Sequence, residues 1–355
     1  MLHFKPVPHQ SQAMNSNLTN SERDGLRSNL KMFVSTNIAL ATAQGIIASL
    51  GSAILLLLFS TFLPEITMEL NEFFFITPVF VLTAATASFL MSGLICSAVY
   101  ICERKELNPD TLVIPCAAAI GDSGSLAIFA TIGWLLLPAR SYAIPGCVIT
   151  VVVMGLAAGV CLVKAAQEEK TRTAAKEGFA TIFVATVVGL AAGVFLHSTA
   201  KLNLDRFQPM LNGVGGNLAA ILASRVASAL HRSPRRVRVT EAAKAFLRPF
   251  AWATNACDRT AASMLLMASA VIVPASFAAM DAENLFTGIL RFRLLVVYSC
   301  TGLCQISFLL AIARGLCLIC ASLGFDPDTH VIPVVTALGD LASSMIFNGL
   351  ARAFL

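Results

Sequence analysis

The chain has 355 residues, of which 57% are hydrophobic and only 13% are charged. A soluble globular protein carries about 25% charged residues, so the composition excludes that class and predicts a polytopic membrane protein. The net charge is +5, and we expect no nucleic-acid partner.

Nine hydrophobic segments follow one another, most of them long enough to cross a hydrocarbon core as a helix of about 20 residues. The polar residues 1–33 lack the apolar centre of a signal peptide and are predicted to form a disordered cytoplasmic tail. The fold class is therefore all-α, with about nine transmembrane helices. In chain order the segments cover residues 34–62, 73–102, 111–137, 144–163, 178–197, 207–230, 251–279, 285–320 and 328–355.

The basic residues predict the orientation, because Lys and Arg are retained on the cytoplasmic side of a membrane. With the N-terminus inside, sixteen Lys and Arg lie on the cytoplasmic side and six on the outer side. Six of the sixteen lie in the loop 232–248, which is a candidate contact for anionic lipid headgroups. We expect a multi-pass protein of the plasma membrane with its N-terminus in the cytoplasm and its C-terminus outside.

Two stretches of the chain repeat each other. Residues 109–122 read PDTLVIPCAAAIGD and residues 327–340 read PDTHVIPVVTALGD, so nine of fourteen positions agree at a constant offset of 218. At this offset the first three hydrophobic segments correspond to the last three. The fifth and sixth segments would need partners before the first residue, so the first repeat is expected to lack its two N-terminal helices.

This repeat divides the chain into four regions: the tail 1–33, a truncated first repeat 34–137, a linker helix with a cytoplasmic loop 138–177, and a second repeat 178–355. Five helices and one linker helix return the chain to the side from which it started. The two repeats are therefore expected to enter the membrane in the same orientation, about an axis along the membrane normal.

Each repeated helix carries one acid at membrane depth, Asp122 in the first repeat and Asp340 in the second. An ionisable side chain in that position costs about 2.5–3.5 kcal/mol on insertion scales and faces protein or water. Two carboxylates facing each other would form a ring of hard oxygen donors, which suits Mg²⁺ better than Zn²⁺ or Cu⁺. We therefore expect both acids to bind a metal ion in a cation pathway.

The prolines of the repeat support the same expectation. A proline seven residues before each acid shares its helix face and frees the carbonyl four residues earlier, which is tolerated only against protein or water. The helix-breaking prolines are Pro109, Pro115, Pro327 and Pro333, and the freed carbonyls belong to Thr111 and Thr329.

A glycine-rich block is the third feature. Residues 212–232 read NGVGGNLAAILASRVASALHR, and glycine permits a close backbone approach or a turn that faces a ligand. An asparagine amide at such a turn could hold a water molecule of a hydrated cation, since Mg²⁺ sheds its water reluctantly. Tight helix packing alone is the other explanation of these glycines.

The block GVGGNLAAILASR, together with two copies of PDxxxxPxxxxxGD, resembles the MgtE-type magnesium transporters, specifically their two-domain animal relatives, solute carrier family 41. The resemblance covers roughly residues 34–355. It implies transport of divalent cations, chiefly Mg²⁺, through an acidic pore between the repeats, with no cofactor and no enzymatic activity. By the same resemblance Asp122 and Asp340 line the cation path, and Gly215, Gly216 and Asn217 contribute to the pore.

One departure from the family leaves an alternative open. Members carry the glycine-rich block in both repeats and this chain has it once, so we expect weak transport unless a partner chain completes the pore. A truncated paralogue or isoform that acts as a membrane adaptor or regulatory subunit is the alternative. An intramembrane aspartyl protease is disfavoured. Such enzymes resemble a pattern with glycine two residues before a Gly-Asp pair, and this chain has Ala119 and Ala337 at those positions.

Overall fold

The computed structural model describes residues 20–62, 69–105, 109–200, 208–232 and 289–354, and every regular element in these ranges is helical. Eight α-helices follow one another, and a 3-10 helix, Leu137–Tyr142, joins the third to the fourth. The α-helices are α1 (Asn20–Phe62), α2 (Leu70–Arg104), α3 (Pro109–Leu136), α4 (Ala143–Ala165), α5 (Glu169–Ala200), α6 (Gln208–Arg232), α7 (Ile289–Leu323) and α8 (Pro327–Phe354).

Eight of the nine predicted segments coincide with these helices, which confirms the all-α fold class. The remaining segment, 251–279, lies outside the described residues, and so does nearly all of the candidate lipid-binding loop 232–248. Helix α1 begins at Asn20, inside the stretch predicted as a tail, so the helix extends beyond its apolar part.

The described helices contain seven candidate membrane spans, and one of them, Ile120–Ala165, runs through both α3 and α4. Helices are the expected outcome, because each backbone N–H and C=O in hydrocarbon must find its partner within the same segment. Large apolar side chains are exposed on the outer faces, with Trp134 at 72% and Leu156 at 68% of their surface accessible. The chain is therefore an integral, multi-pass membrane protein.

The helices pack as two groups that meet at α3, α5 and α6. Helices α1, α2 and α4 surround a small core of Ile46, Val81, Ala85 and Ala158, and α3 packs against α2. Helix α8 is enclosed by α5, α6 and α7, with the Phe347 and Tyr298 rings edge to face at 6.1 Å. The groups touch where α3 contacts α6 and where α1 contacts α5.

Polar contacts hold two of the turns. The 3-10 helix after α3 is tied to the start of α2, since Arg140 Nη2 lies 3.6 Å from Glu72 Oε1 and the guanidinium stands over the Phe75 ring. The turn between α4 and α5 is tied to α1, because the buried Thr36 hydroxyl donates to Glu168 Oε2 at 3.2 Å.

Candidate functional site

The first acid of the repeat reaches across to the glycine-rich helix. Asn217 Nδ2 on α6 donates a hydrogen bond of 3.0 Å to Asp122 Oδ2 on α3. A methyl group at Gly213, one helical turn earlier, would lie 3.3 Å from the same oxygen, so glycine leaves the room that this carboxylate occupies. The contact joins the acid of one predicted repeat to the glycine-rich block of the other.

The second acid approaches the same place from α8. Asp340 is partly buried and follows Gly339, which packs on Gly216, the neighbour of the Asn217 that binds Asp122. Asp122 itself remains exposed. Helices α3, α6 and α8 thus bring two carboxylates and one amide together at membrane depth.

Helices α6 and α8 touch through their backbones beside these acids. A methyl group added to Gly339, the residue before Asp340, would lie 3.1 Å from the Gly216 Cα and 3.3 Å from its nitrogen. From the other side the fit is looser, since a methyl group at Gly216 would stand 3.6 Å from the Thr336 backbone. The glycines thus allow an approach that no larger residue at position 339 would permit.

A buried glutamine on α7 holds this contact in place. Gln305 is fully buried, and its Nε2 donates a hydrogen bond of 3.1 Å to the carbonyl of Gly339. Its amide fills the notch at Gly215, where a methyl group would overlap it. Three helices are therefore interlocked next to Asp340 by one side chain and three glycines.

We expect Gln305→Ala to lower the free energy of unfolding by about 1–3 kcal/mol, because it removes the hydrogen bond to Gly339 and leaves a void. Thermal unfolding of the purified protein in lipid nanodiscs measures the loss. Ser307→Ala on the same helix is the matched control, since its hydroxyl donates to the Leu303 carbonyl of its own helix and to no other residue that the structure describes. Equal losses in both variants would contradict the interlock.

A double variant sharpens this test. Gly215→Ala alone should destabilise the protein, because the new methyl group overlaps the Gln305 amide. In the Gln305→Ala background the same methyl group enters the vacated space and should restore part of the lost stability. Such coupling is expected only between side chains in direct contact. Additive losses would mean that the two positions do not share this space.

Two of the residues predicted for the cation path, Pro333 and Thr329, lie on α8 before Asp340. Pro333 lies inside α8 and has no N–H to offer to the carbonyl of Thr329. The hydroxyl of Thr329 instead donates to Asp326 Oδ2 at 3.1 Å, at the start of α8. Thr329 lies eleven positions before Asp340, roughly 16 Å along a helix, and its place in the cation path stays a prediction.

Three further prolines and a threonine were predicted to belong to the path. Pro327 begins α8 and is buried, and Pro109 begins α3. Pro115 and Thr111 lie within α3, and the described side chains do not include theirs. Their place in the path stays a prediction.

The described residues contain no group of three or more His, Cys, Asp and Glu side chains that could hold a metal ion together. A pair of carboxylates supplemented by an amide suits an ion that keeps part of its water, because Mg²⁺ is usually bound through one or two carboxylates. The arrangement can therefore attract a hydrated divalent cation without enclosing it in a permanent cage.

Sequence reasoning did not single out Gly213, Gln305 or Gly339. Gly339 had a signal, since it is one of the nine positions shared between the two repeated stretches. The sequence signal for Gln305 was weaker, since it is only an amide side chain within an otherwise apolar part of α7. Nothing in the sequence indicates that these residues meet, because their contact depends on how α6, α7 and α8 pack.

Comparison with known proteins finds a matching protein family. The family model MgtE, described as a divalent cation transporter, matches residues 10–132 and 208–350 of the chain. Solute carrier family 41 member 2 of Macaca fascicularis is 28% identical over 319 residues, which cover 86% of this chain and 53% of the relative. The Gallus gallus protein of the same name is 29% identical, with coverage of 86% and 53%.

Member 3 of the same solute carrier family, from Rattus norvegicus, is 27% identical over 336 residues, which cover 91% of this chain and 70% of the relative. The chain thus spans about half the length of the member 2 relatives that it matches. No solved structure matches the chain.

Proposed function

Because the chain belongs to the MgtE family of divalent cation transporters, we propose that it carries Mg²⁺ across a membrane along the line where α3, α6 and α8 meet. Members of this family are transporters and not enzymes, and the same holds for this chain. The observation that carries the proposal is the hydrogen bond from Asn217 to Asp122, beside the contact of Gly216 with Gly339, the residue before Asp340.

The acids account for the charge of the transported ion. Two carboxylates at membrane depth together balance a divalent cation, whereas either acid alone would leave a net positive charge in a medium of low dielectric constant. Mutual repulsion of Asp122 and Asp340 in the absence of an ion adds to the attraction, because a cation between them relieves it. A divalent ion is therefore preferred over a monovalent one at this position.

Asn217 would act on the water shell of the ion. Its Nδ2 is engaged by Asp122, which orients the amide and leaves its oxygen able to accept a hydrogen bond from a bound water molecule. Since Mg²⁺ keeps several waters, contacts to those waters help to select it. Gly213 contributes by letting Asp122 approach the backbone of α6.

The direct test is Mg²⁺ entry into proteoliposomes that contain the purified full chain and a Mg²⁺-sensitive dye. We expect uptake that saturates with external Mg²⁺ and competes with Mn²⁺ and Co²⁺, because hard oxygen ligands accept all three ions. Protein-free vesicles and the variant carrying both Asp122→Asn and Asp340→Asn are the controls. Uptake no faster than in that double variant would overturn the proposal.

The placement in the cell follows from the same proposal. We propose the plasma membrane as its location, and a cytoplasmic N-terminus with an extracellular C-terminus agrees with the distribution of Lys and Arg along the chain. This orientation and the completion of the pore by a partner chain stay predictions.

A further inference from the structure

Two arginines lie inside candidate membrane spans. Arg225 is five residues before the end of the span Gln208–Leu230, and Arg314 is nine residues before the end of the span Phe292–Leu323. These separations correspond to about 8 and 14 Å along a helix. Both side chains are partly buried. An ionisable side chain at such a depth is costly unless protein, water or a counter-charge surrounds it, which makes these arginines candidates for a functional role.

Helices α6 and α7, which carry these arginines, run side by side in the same direction. The Gln305 amide of α7 fills the notch at Gly215 of α6. Further along both helices, the buried Cys317 Sγ donates to the Ala223 carbonyl at 3.6 Å. Both helices therefore end on the same side of the membrane, which is the cytoplasmic side in the orientation proposed above.

The two arginines occupy adjoining stripes of these helices. Leu222 on α6 and Leu310 on α7 are buried in one hydrophobic cluster. Arg225 follows the first leucine by three positions and Arg314 follows the second by four, and these spacings keep a residue on the same helix face. Measured from the cysteine contact, the two arginines differ in depth by about 8 Å. One anionic group between the helices therefore lies within reach of both long side chains.

Helices α6 and α7 offer no acid of their own to neutralise these arginines, since neither contains an Asp or a Glu. Arg225 Nε is buried, and it has no hydrogen-bond partner among the residues that the structure describes. A buried donor without an acceptor is costly, and more so when the group is charged. The guanidinium of Arg225 is therefore suited to a partner that carries a negative charge and strong acceptor oxygens.

From this placement we propose that Arg225 and Arg314 bind the phosphate of an anionic lipid of the cytoplasmic leaflet, between α6 and α7. A guanidinium presents a planar set of donors that matches two oxygens of a phosphate, and it is more weakly hydrated than an ammonium group. Basic pockets between transmembrane helices on the cytoplasmic side bind lipid headgroups in this way. The depth favours a lipid over a soluble anion, because a soluble anion would have to leave water.

This site differs from the loop 232–248, whose basic residues lie beyond the end of α6. The loop is a candidate for attraction at the membrane surface, whereas the two arginines lie within the spans. The inference goes beyond the proposed function and does not depend on it, since the lipid would bind whether or not Mg²⁺ is transported.

The test is thermal unfolding of the purified full chain in dodecyl maltoside, a detergent without phosphate, before and after phosphatidylinositol 4,5-bisphosphate is added. We expect this lipid to raise the unfolding temperature by at least about 3 °C, because a ligand that binds only the folded state stabilises it. The variant carrying Arg225→Gln and Arg314→Gln should lose most of the rise. No rise in the unaltered chain would refute the site and leave the proposed transport untouched.

Arg172→Gln combined with Lys176→Gln is the matched control, because it removes two exposed positive charges near the cytoplasmic end of α5. This variant should keep the full rise. An equal loss in both double variants would mean that the lipid responds to overall charge, which would overturn the proposal. Inorganic phosphate and soluble inositol trisphosphate should leave the unfolding temperature unchanged. A rise with either of them would show a site for soluble phosphate and refute the lipid.

Arg225→Gln alone separates a lipid site from a contact within the protein. Without added lipid, this variant should be as stable as the unaltered chain or more stable, because it removes a charge at membrane depth. If an acid of the chain neutralises Arg225 instead, the same change leaves that acid buried and uncompensated. The unfolding temperature would then fall without lipid, and this result would overturn the proposal.

Discussion

Replacing either Asp122 or Asp340 by asparagine is expected to lower Mg²⁺ uptake into proteoliposomes at least about tenfold, and replacing both should abolish it. Asparagine keeps the size and shape of the side chain, so the change removes one charge and little else. Two unit charges about 4 Å apart interact by about 4 kcal/mol at an effective dielectric constant of 20. A tenfold effect needs only about 1.4 kcal/mol, well below that interaction.

The control for this prediction is Glu169→Gln, which removes an exposed carboxylate at the first residue of α5. Its uptake should match that of the unaltered chain. Thermal unfolding of all variants shows whether a loss of uptake reflects misfolding. Normal uptake by a folded double variant would mean that the two acids do not carry the ion, whereas absence of uptake by the unaltered chain would favour a membrane adaptor that does not transport.

Gly339→Ala is expected to lower the free energy of unfolding by about 1–3 kcal/mol, the usual cost of inserting a methyl group into a packed contact. The added group would stand 3.1 Å from the Cα of Gly216 and 3.3 Å from the Leu309 Cδ1, and backbone cannot move aside as a side chain can. Helices α6 and α8 would separate, and Asp340 would move with α8. Uptake should fall together with the thermal unfolding temperature.

Two other glycines make this prediction specific. Gly349→Ala lies on the same helix with nothing within 4 Å, so the same change should be neutral or stabilising, since alanine favours helix by about 1 kcal/mol. Gly216→Ala should also be mild, because its methyl group meets the Thr336 backbone at an ordinary distance of 3.6 Å. Equal effects at all three positions would contradict the packing of α6 on α8.

The helices and both acids could be predicted from the sequence because their signals are local or repeated. A run of apolar residues identifies a span without knowledge of its neighbours, and a carboxylate inside such a run is conspicuous. The offset of 218 then indicated that Asp122 and Asp340 are equivalent. Membership of the MgtE family followed from the motif blocks and is confirmed by the family match.

The contacts around the acids could not be predicted, because they depend on the register between helices far apart in the chain. The hydrogen bond from Asn217 to Asp122 joins residues 95 positions apart in the chain. The periodicity of a helix predicts contacts only between residues a few positions apart. Gln305 shows the same limit, since the sequence alone does not tell which face of α7 is buried. The place of Thr329 in the cation path stays a prediction, because no described contact joins it to the acids.

The two acids are supported unequally, and this affects how the surrounding bilayer can influence them. Ser344 on α8 is fully buried, while Leu126, its counterpart at the offset of 218, exposes 67% of its surface on α3. Asp340 therefore stands on a helix packed against three others, whereas Asp122 is exposed on α3. We expect a change in bilayer thickness to affect the position of Asp122 more than that of Asp340.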